Sequence, residues 1–168
     1  MELRPLRISD ATEALQGHVE LAEENWEYLL RYEEGMPWTN YLEMLHDEAL
    51  GRNLSEGRVQ ASFLIAESRG SLVGRVSIRH FLNDFLLHAG GHIGYGVRPE
   101  FRRQGFAKEI LRQSLQYIYE LGVIEVLVTC DNENVGSIRT IESQGGILEN
   151  MVDHEGVAIR RYWIEKPS

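Results

Sequence analysis

The stretch Gly90-Gly91-His92-Ile93-Gly94-Tyr95-Gly96-Val97-Arg98-Pro99-Glu100-Phe101-Arg102-Arg103-Gln104-Gly105-Phe106-Ala107 carries more structural information than any other in this chain. His92 to Val97 reads as a strand interrupted by glycines. Pro99 ends it, a short basic turn follows, and from about Gly105 to Leu121 the apolar residues Ala107, Ile110, Leu111, Leu115, Ile118 and Leu121 recur at helical spacing. A strand, a tight turn and a long helix in that order leave the first N–H groups of the helix without intrahelical partners. Their partial positive charge, close to Arg102, Arg103 and Lys108, suits an anion such as phosphate. Gly105 and Ala107 keep bulk away from the backbone there. Two other phosphate motifs fail: no G-x-x-x-x-G-K-[ST] string exists, and after Gly94-x-Gly96 the third glycine of a dinucleotide fingerprint is replaced by Pro99.

Outward from this stretch, the pattern is that of one α/β or α+β domain, residues 1–168, around a mixed sheet. Glu2 to Ile8 reads as a strand, with Ser9 or Asp10 able to cap a helix that Gly17 weakens. A second amphipathic stretch covers Val19 to about Tyr32, and Pro37 opens a helix through Ala49. Val59 to Glu67 and Ser71 to His80 flank a hairpin turn at Ser68-Arg69-Gly70. Val123 to Cys130 is a largely apolar strand, Val135 to Gln144 a short helix stopped by Gly145-Gly146, and Ile147 to Asp153 with Val157 to Glu165 a last hairpin.

Composition narrows the function classes. The chain has 26 acidic against 17 basic residues, a net charge of −9, which argues against nucleic-acid binding. Eleven of the acids and a single base, Arg31, fall between Asp10 and Leu50, whereas Arg98, Arg102, Arg103, Lys108 and Arg112 outnumber Glu100 and Glu109 in the decisive stretch. The acidic third suggests a cationic acceptor or simply the solvated faces of helices. One cysteine, Cys130, permits no internal disulfide, and neither a secretory signal nor an apolar span of membrane length is evident. These features point to a cytoplasmic protein with no membrane partner.

The string Arg102-x-x-Gly105-x-Ala107 resembles the [QR]-x-x-G-x-[GA] signature of the GCN5-related N-acetyltransferases (GNAT). Asn132, Asn134 and Ser137, after the strand 123–130, resemble the family's second cofactor-contacting segment. The runs G-G-H-I-G-Y-x-V-R-P and T-C-D-N-E-N-x-x-S look like a subgroup of bacterial predicted acetyltransferases. The resemblance implies a mixed, mostly antiparallel sheet whose central strands splay apart, at a bulge for which Gly94 and Gly96 are suited. It implies acetyl-CoA as cosubstrate, with pantetheine pairing near Val97 and the Val97 amide meeting the oxyanion. Diphosphate would lie on amides from Arg103 through Gln104, Gly105, Phe106 and Ala107 to Lys108, with Arg102 beside them and Asn134 and Ser137 reaching the pantetheine. The acetyl group would pass by direct attack to a primary amine of a small molecule or peptide. No metal is implied, and homodimers are common in such families.

The catalytic candidates each have a plainer alternative. His92 titrates in the range useful for a base, or else bonds backbone. Tyr95 is a proton donor or a packing aromatic. Cys130 is an acid near the thioester or an inert buried thiol. The family's usual tyrosine, seven residues after the asparagine, is Ile141 here, so the acid is absent or supplied elsewhere. His80-x-x-Asn83 shapes an acceptor pocket or bonds its own loop, and Trp38, Tyr41 and Met44 line that pocket or pack in the core. The rival functions are a non-catalytic acyl-CoA-binding module and a protein-interaction module on the same fold.

Overall fold

The computed structural model describes residues 1–167. β1 (Glu2–Arg4) is short because Pro5 ends it, and one turn of 3-10 helix at Ile8–Asp10 leads into α1 (Ala11–Ala22). Asp10 stands at the start of α1 but spends its carboxylate on the Arg4 guanidinium (2.7 and 2.9 Å) and the Arg7 N–H (2.7 Å). α2 (Trp38–Ala49) starts directly after Pro37, as its sequence predicts. The hairpin of β2 (Ala61–Ser68) and β3 (Ser71–Arg79) follows, then β4 (Ile93–Val97), α3 (Phe106–Glu120), β5 (Glu125–Asp131), α4 (Val135–Glu142), β6 (Ile147–His154) and β7 (Val157–Glu165).

The strands form two antiparallel sheets, β1-β2-β3-β4 and β5-β7-β6. Alternation along β2 divides the interior: Leu64 faces a core built on α3, through Ile110, Leu111, Leu115 and Ile118, while Phe63 and Ile65 face a second core with Leu21, Tyr28, Leu29, Tyr41 and Leu45. Burying such side chains is worth about 1.5–3 kcal/mol each. Trp38 and Met44 pack against this second core around the fully buried Tyr41, so these residues are core, not pocket. Among the described residues, no helix is long and apolar enough to cross a membrane.

The two sheets meet where β4 approaches β5. The His92 N–H donates to the Leu127 carbonyl (2.7 Å), and the Leu127 N–H donates back to Nδ1 of His92 (2.9 Å). Beyond this bridge the two strands part, and the expected splay is present as a gap between sheets. Its cause differs from the expected bulge. β3 and β4 stay in register without a shift from Ile78↔Ile93 to Gly74↔Val97, so Gly94 and Gly96 introduce no extra residue.

The first third also differs from its sequence pattern. α1 runs straight through Gly17, which is buried where an added Cβ would come within 3.0 Å of Tyr28 and 3.1 Å of Arg98. The helix expected over 19–32 stops at Ala22. Asn25 takes a left-handed φ of 57°, and the Arg75 guanidinium, 47 and 48 residues away in sequence, binds the carbonyls of Tyr28 (3.0 Å) and Glu27 (2.6 Å). Those carbonyls are thereby turned to a tertiary partner instead of a helical ladder.

Candidate active site

A groove of about 550 Å³ opens where β4 parts from β5. One end is the start of α3. Arg103 and Gly105 both adopt left-handed backbone (φ 60° and 85°), and this turn leaves the N–H groups of residues 103 to 108 without an acceptor among the described residues. Successive amides in such a turn form an anion-binding concavity, reinforced by the dipole of a fifteen-residue helix. A Cβ at Gly105 would meet nothing within 4 Å, so this face of the turn is open.

Along β4 the antiparallel ladder decides which backbone groups face the gap. Arg98 donates to Val73 (2.9 Å) and Arg79 to His92 (2.7 Å). These are hydrogen-bonded pairs, and by alternation 75/96 and 77/94 are too. Tyr95 and Val97 therefore turn their N–H and C=O groups away from β3, into the gap. The Val97 carbonyl is taken by Nε of Arg102 (3.1 Å); its N–H faces the groove. α4 forms the opposite wall, where the Asn134 side chain caps the helix by accepting from the Ser137 N–H (3.0 Å).

Of the residues singled out from sequence, Tyr95, Val97, Arg102, Arg103 and Gly105 border the groove, as do Phe106, Ala107, Lys108, Asn134 and Ser137. Gln104 does not; its side chain bonds the Glu100 carbonyl (3.1 Å). The basic corner is weaker than its composition suggests. Arg98 is 2% exposed and paired with Glu13, Glu20 and Glu100, Arg102 is paired with Glu24 (2.6 Å), and Arg112 with Glu109 (2.7 Å). Arg103 and Lys108 alone of the five make no ion pair among the described residues, so backbone amides rather than guanidinium groups dominate the anion end.

The catalytic candidates separate. The Tyr95 hydroxyl is buried beside the hydroxyls of Ser137 and Thr140 with no hydrogen-bond partner, and burial pushes its pKa up to about 12. Cys130 lies behind Tyr95 rather than on the groove, with burial pushing its thiol up to about 11, which keeps it protonated. His92 stands at the closed end of the gap. Since Nδ1 accepts from the Leu127 N–H, the neutral ring carries its proton on Nε2 and has no free lone pair. Burial and the neighbouring Arg79 push its pKa down to about 4. Its geometry is therefore that of a bridge between strands, a correction to the expectation of a base. His80 likewise bonds Ser62 (2.8 Å). Among the described residues no three His, Cys, Asp or Glu side chains are grouped to hold a metal ion.

Trp26, which belongs to the irregular segment after α1, carries no signal in the sequence. A Cβ on Gly96 would fall 2.3 Å from its ring, so the indole lies directly on β4, where it borders the groove. The Arg75 guanidinium, cross-strand from Gly96, lies over the indole, 3.9 Å from a ring centroid.

The groove thus joins a strand with outward backbone groups to a helix start with free amides. The profile described as "Acetyltransferase (GNAT) domain" matches residues 1–147. The chain belongs to this family and is an acetyltransferase. Solved structures share the fold. A mutant of the spermidine N-acetyltransferase SpeG of Vibrio cholerae is 19% identical, with a TM-score of 0.66 over 98% of this chain and 95% of that one. The ribosomal-protein-alanine N-acetyltransferase of Brucella melitensis is 19% identical, TM-score 0.67, over 99% and 100%. YncA of Salmonella typhimurium, solved with its cofactor acetyl-CoA, is 15% identical, TM-score 0.63, over 98% and 92%. No curated protein matches the sequence.

Proposed function

We propose that the chain, acting as one domain in the cytoplasm, transfers an acetyl group from acetyl-CoA to a primary amine of a small molecule or peptide by direct attack. The observation that carries this reading is the run of free amides from 103 to 108 in line with the outward N–H of Val97. The residues fit the cosubstrate: the amides take the diphosphate, Tyr95 offers its outward backbone to the pantetheine arm, and the thioester then comes to rest near the Val97 N–H. The amine acceptors named for SpeG and the Brucella melitensis enzyme agree with the reaction type.

The residues divide the work. Positioning two reactants along one strand removes much of the entropic barrier. The Val97 N–H is aimed where negative charge develops on the thioester oxygen. The Tyr95 hydroxyl, without a partner and held in the gap, donates to the leaving thiolate, a role its position on β4 lets it fill in place of Ile141. Cys130 packs behind it, and His92 acts through structure by pinning β4 to β5. Among the described residues the groove is bordered by no Asp, Glu or His, so the amine reacts in its uncharged form, taken from solution.

Thermal shift with CoA and acetyl-CoA, followed by a thiol-release assay over amines, amino acids and peptides, tests the reading. Stabilisation by CoA and turnover that rises with pH toward the pKa of the amine support it. Absence of any CoA-induced shift refutes it, and binding without thiol release favours the non-catalytic alternative.

A further inference from the structure

Trp26 comes from a segment without regular structure, yet its position is fixed. Its N–H donates to the Leu21 carbonyl at the end of α1 (3.0 Å). The Arg75 guanidinium lies over the indole and donates to the carbonyls of the next two residues, Glu27 (2.6 Å) and Tyr28 (3.0 Å), and to that of Gly94 on β4 (3.0 Å). Arg75 is 4% exposed, and a cation over an aromatic ring is held most strongly where water is excluded. One arginine thus ties the segment that carries the indole to the strand that carries the thioester site.

The indole has a defined place in the groove. Leu21, Trp26, Gly96 and Val97 border the same space. Successive residues of a strand present opposite faces. The Tyr95 side chain therefore bounds one face of β4, beside Ser137 and Thr140 of α4, and Trp26 bounds the other by lying on Gly96. The Val97 N–H opens next to both. On the Trp26 face there is no slack: a Cβ on Gly96 would fall 2.3, 2.7 and 2.7 Å from three carbons of the ring. The indole already occupies the place of a single carbon there.

We infer that Trp26 sets the acyl length of the donor: it leaves room at the Val97 N–H for the two carbons of an acetyl group and keeps longer acyl chains out of the reacting position. This inference rests on the acetyl-transfer reading above and deepens it. A chain one or two methylenes longer has to displace the indole, together with its contacts to Arg75 and Leu21, and close-packed side chains yield poorly to added carbons. Trp26 moves no proton; it acts on specificity alone.

The test uses acetyl-, propionyl- and butyryl-CoA, which differ only in the acyl chain, with wild type, Trp26→Leu and Trp26→Ala. Thiol release is read with whichever amine of the panel acetyl-CoA serves best. Wild type should prefer acetyl-CoA to butyryl-CoA by about a hundredfold in kcat/KM, about tenfold for each methylene. Trp26→Ala should bring the two donors within about threefold, with propionyl-CoA and Trp26→Leu falling between. A second readout needs no acceptor. In calorimetric titration, butyryl-CoA should bind wild type about tenfold more weakly than acetyl-CoA, and Trp26→Ala should bind them alike. CoA, which carries no acyl group, should bind all three proteins alike, and this separates loss of the wall from loss of the fold. Wild type that binds and uses butyryl-CoA as well as acetyl-CoA overturns the inference. So does a Trp26→Ala or Trp26→Leu protein that binds CoA normally and keeps the full preference for acetyl. If wild type does not bind CoA, or releases thiol from acetyl-CoA with no amine of the panel, the underlying reading falls instead, and that is seen before any variant is made.

Discussion

Gly105 allows the anion end of the groove to be tested with two side chains of nearly the same shape. Its φ of 85° is left-handed and the space around a Cβ is open, so Asn and Asp, the residues that best tolerate this conformation, both fit. Each should cost about 1 kcal/mol in backbone strain, a fall of about 2–4 °C in Tm for a chain of this size. Their charges separate them. Gly105 immediately precedes α3, where a carboxylate gains about 0.3–1 kcal/mol from the helix dipole. Gly105→Asp should therefore be no less stable than Gly105→Asn without ligand. For CoA the order reverses. A carboxylate about 5 Å from a diphosphate bearing about two charges costs about 1.7 kcal/mol even at the dielectric of water, which is ten- to twentyfold in Kd. Calorimetric titration with CoA and with pantetheine, at low and high salt, reads the difference. CoA should bind Gly105→Asp at least tenfold more weakly than Gly105→Asn, the gap should narrow with salt, and pantetheine, lacking phosphate, should not distinguish them. Equal CoA affinities in the two folded variants would refute the placement of the diphosphate on these amides.

Tyr95→Phe removes a buried hydroxyl that has no partner, so Tm should hold or rise by the equivalent of about 1 kcal/mol while kcat falls tenfold or more and CoA affinity is kept; an unchanged kcat would exclude Tyr95 as the acid. His92 has a folded-state pKa of about 4, below the unfolded value of about 6.5. The unfolded chain takes the proton first, so stability is lost as pH falls through that window, by up to about 3 kcal/mol. Urea midpoints at pH 7 and pH 4.5 should show a smaller drop for His92→Asn than for wild type, and parallel drops would contradict the assigned bridge. Gly96→Ala puts a methyl 2.3 Å from Trp26, and the overpacking should cost about 1–3 kcal/mol; urea titration of the double variant with Trp26→Leu should show most of that loss recovered.

The strand, turn and helix around residues 93 to 120 were legible from sequence because their signals are local: proline, glycine and a clean helical stripe. The same holds for the last two hairpin strands, found at Ile147–His154 and Val157–Glu165. What escaped was governed by distant partners. Gly17 reads as a helix breaker, yet its missing side chain is what admits Tyr28 and Arg98 against α1. The apolar residues of 19–32 look helical, but Arg75 captures the carbonyls there. Arg102 reads as a ligand for phosphate until Glu24, just after α1, is brought beside it. His92 carried a chemically sensible expectation, and only the Leu127 N–H, supplied by a strand from the other sheet, shows that its basic nitrogen is already engaged. Trp26 had no sequence signal at all.

The indole of Trp26, set against β4 beneath a guanidinium, gives this enzyme an optical reporter on the border of its groove. Trp38 packs against the second core and Trp163 bonds Glu149 on the other sheet (2.9 Å), so neither borders the groove. Fluorescence emission from one of three fluorophores thus registers occupancy of the groove, and ligand arrival can be followed in stopped flow on the unlabelled chain.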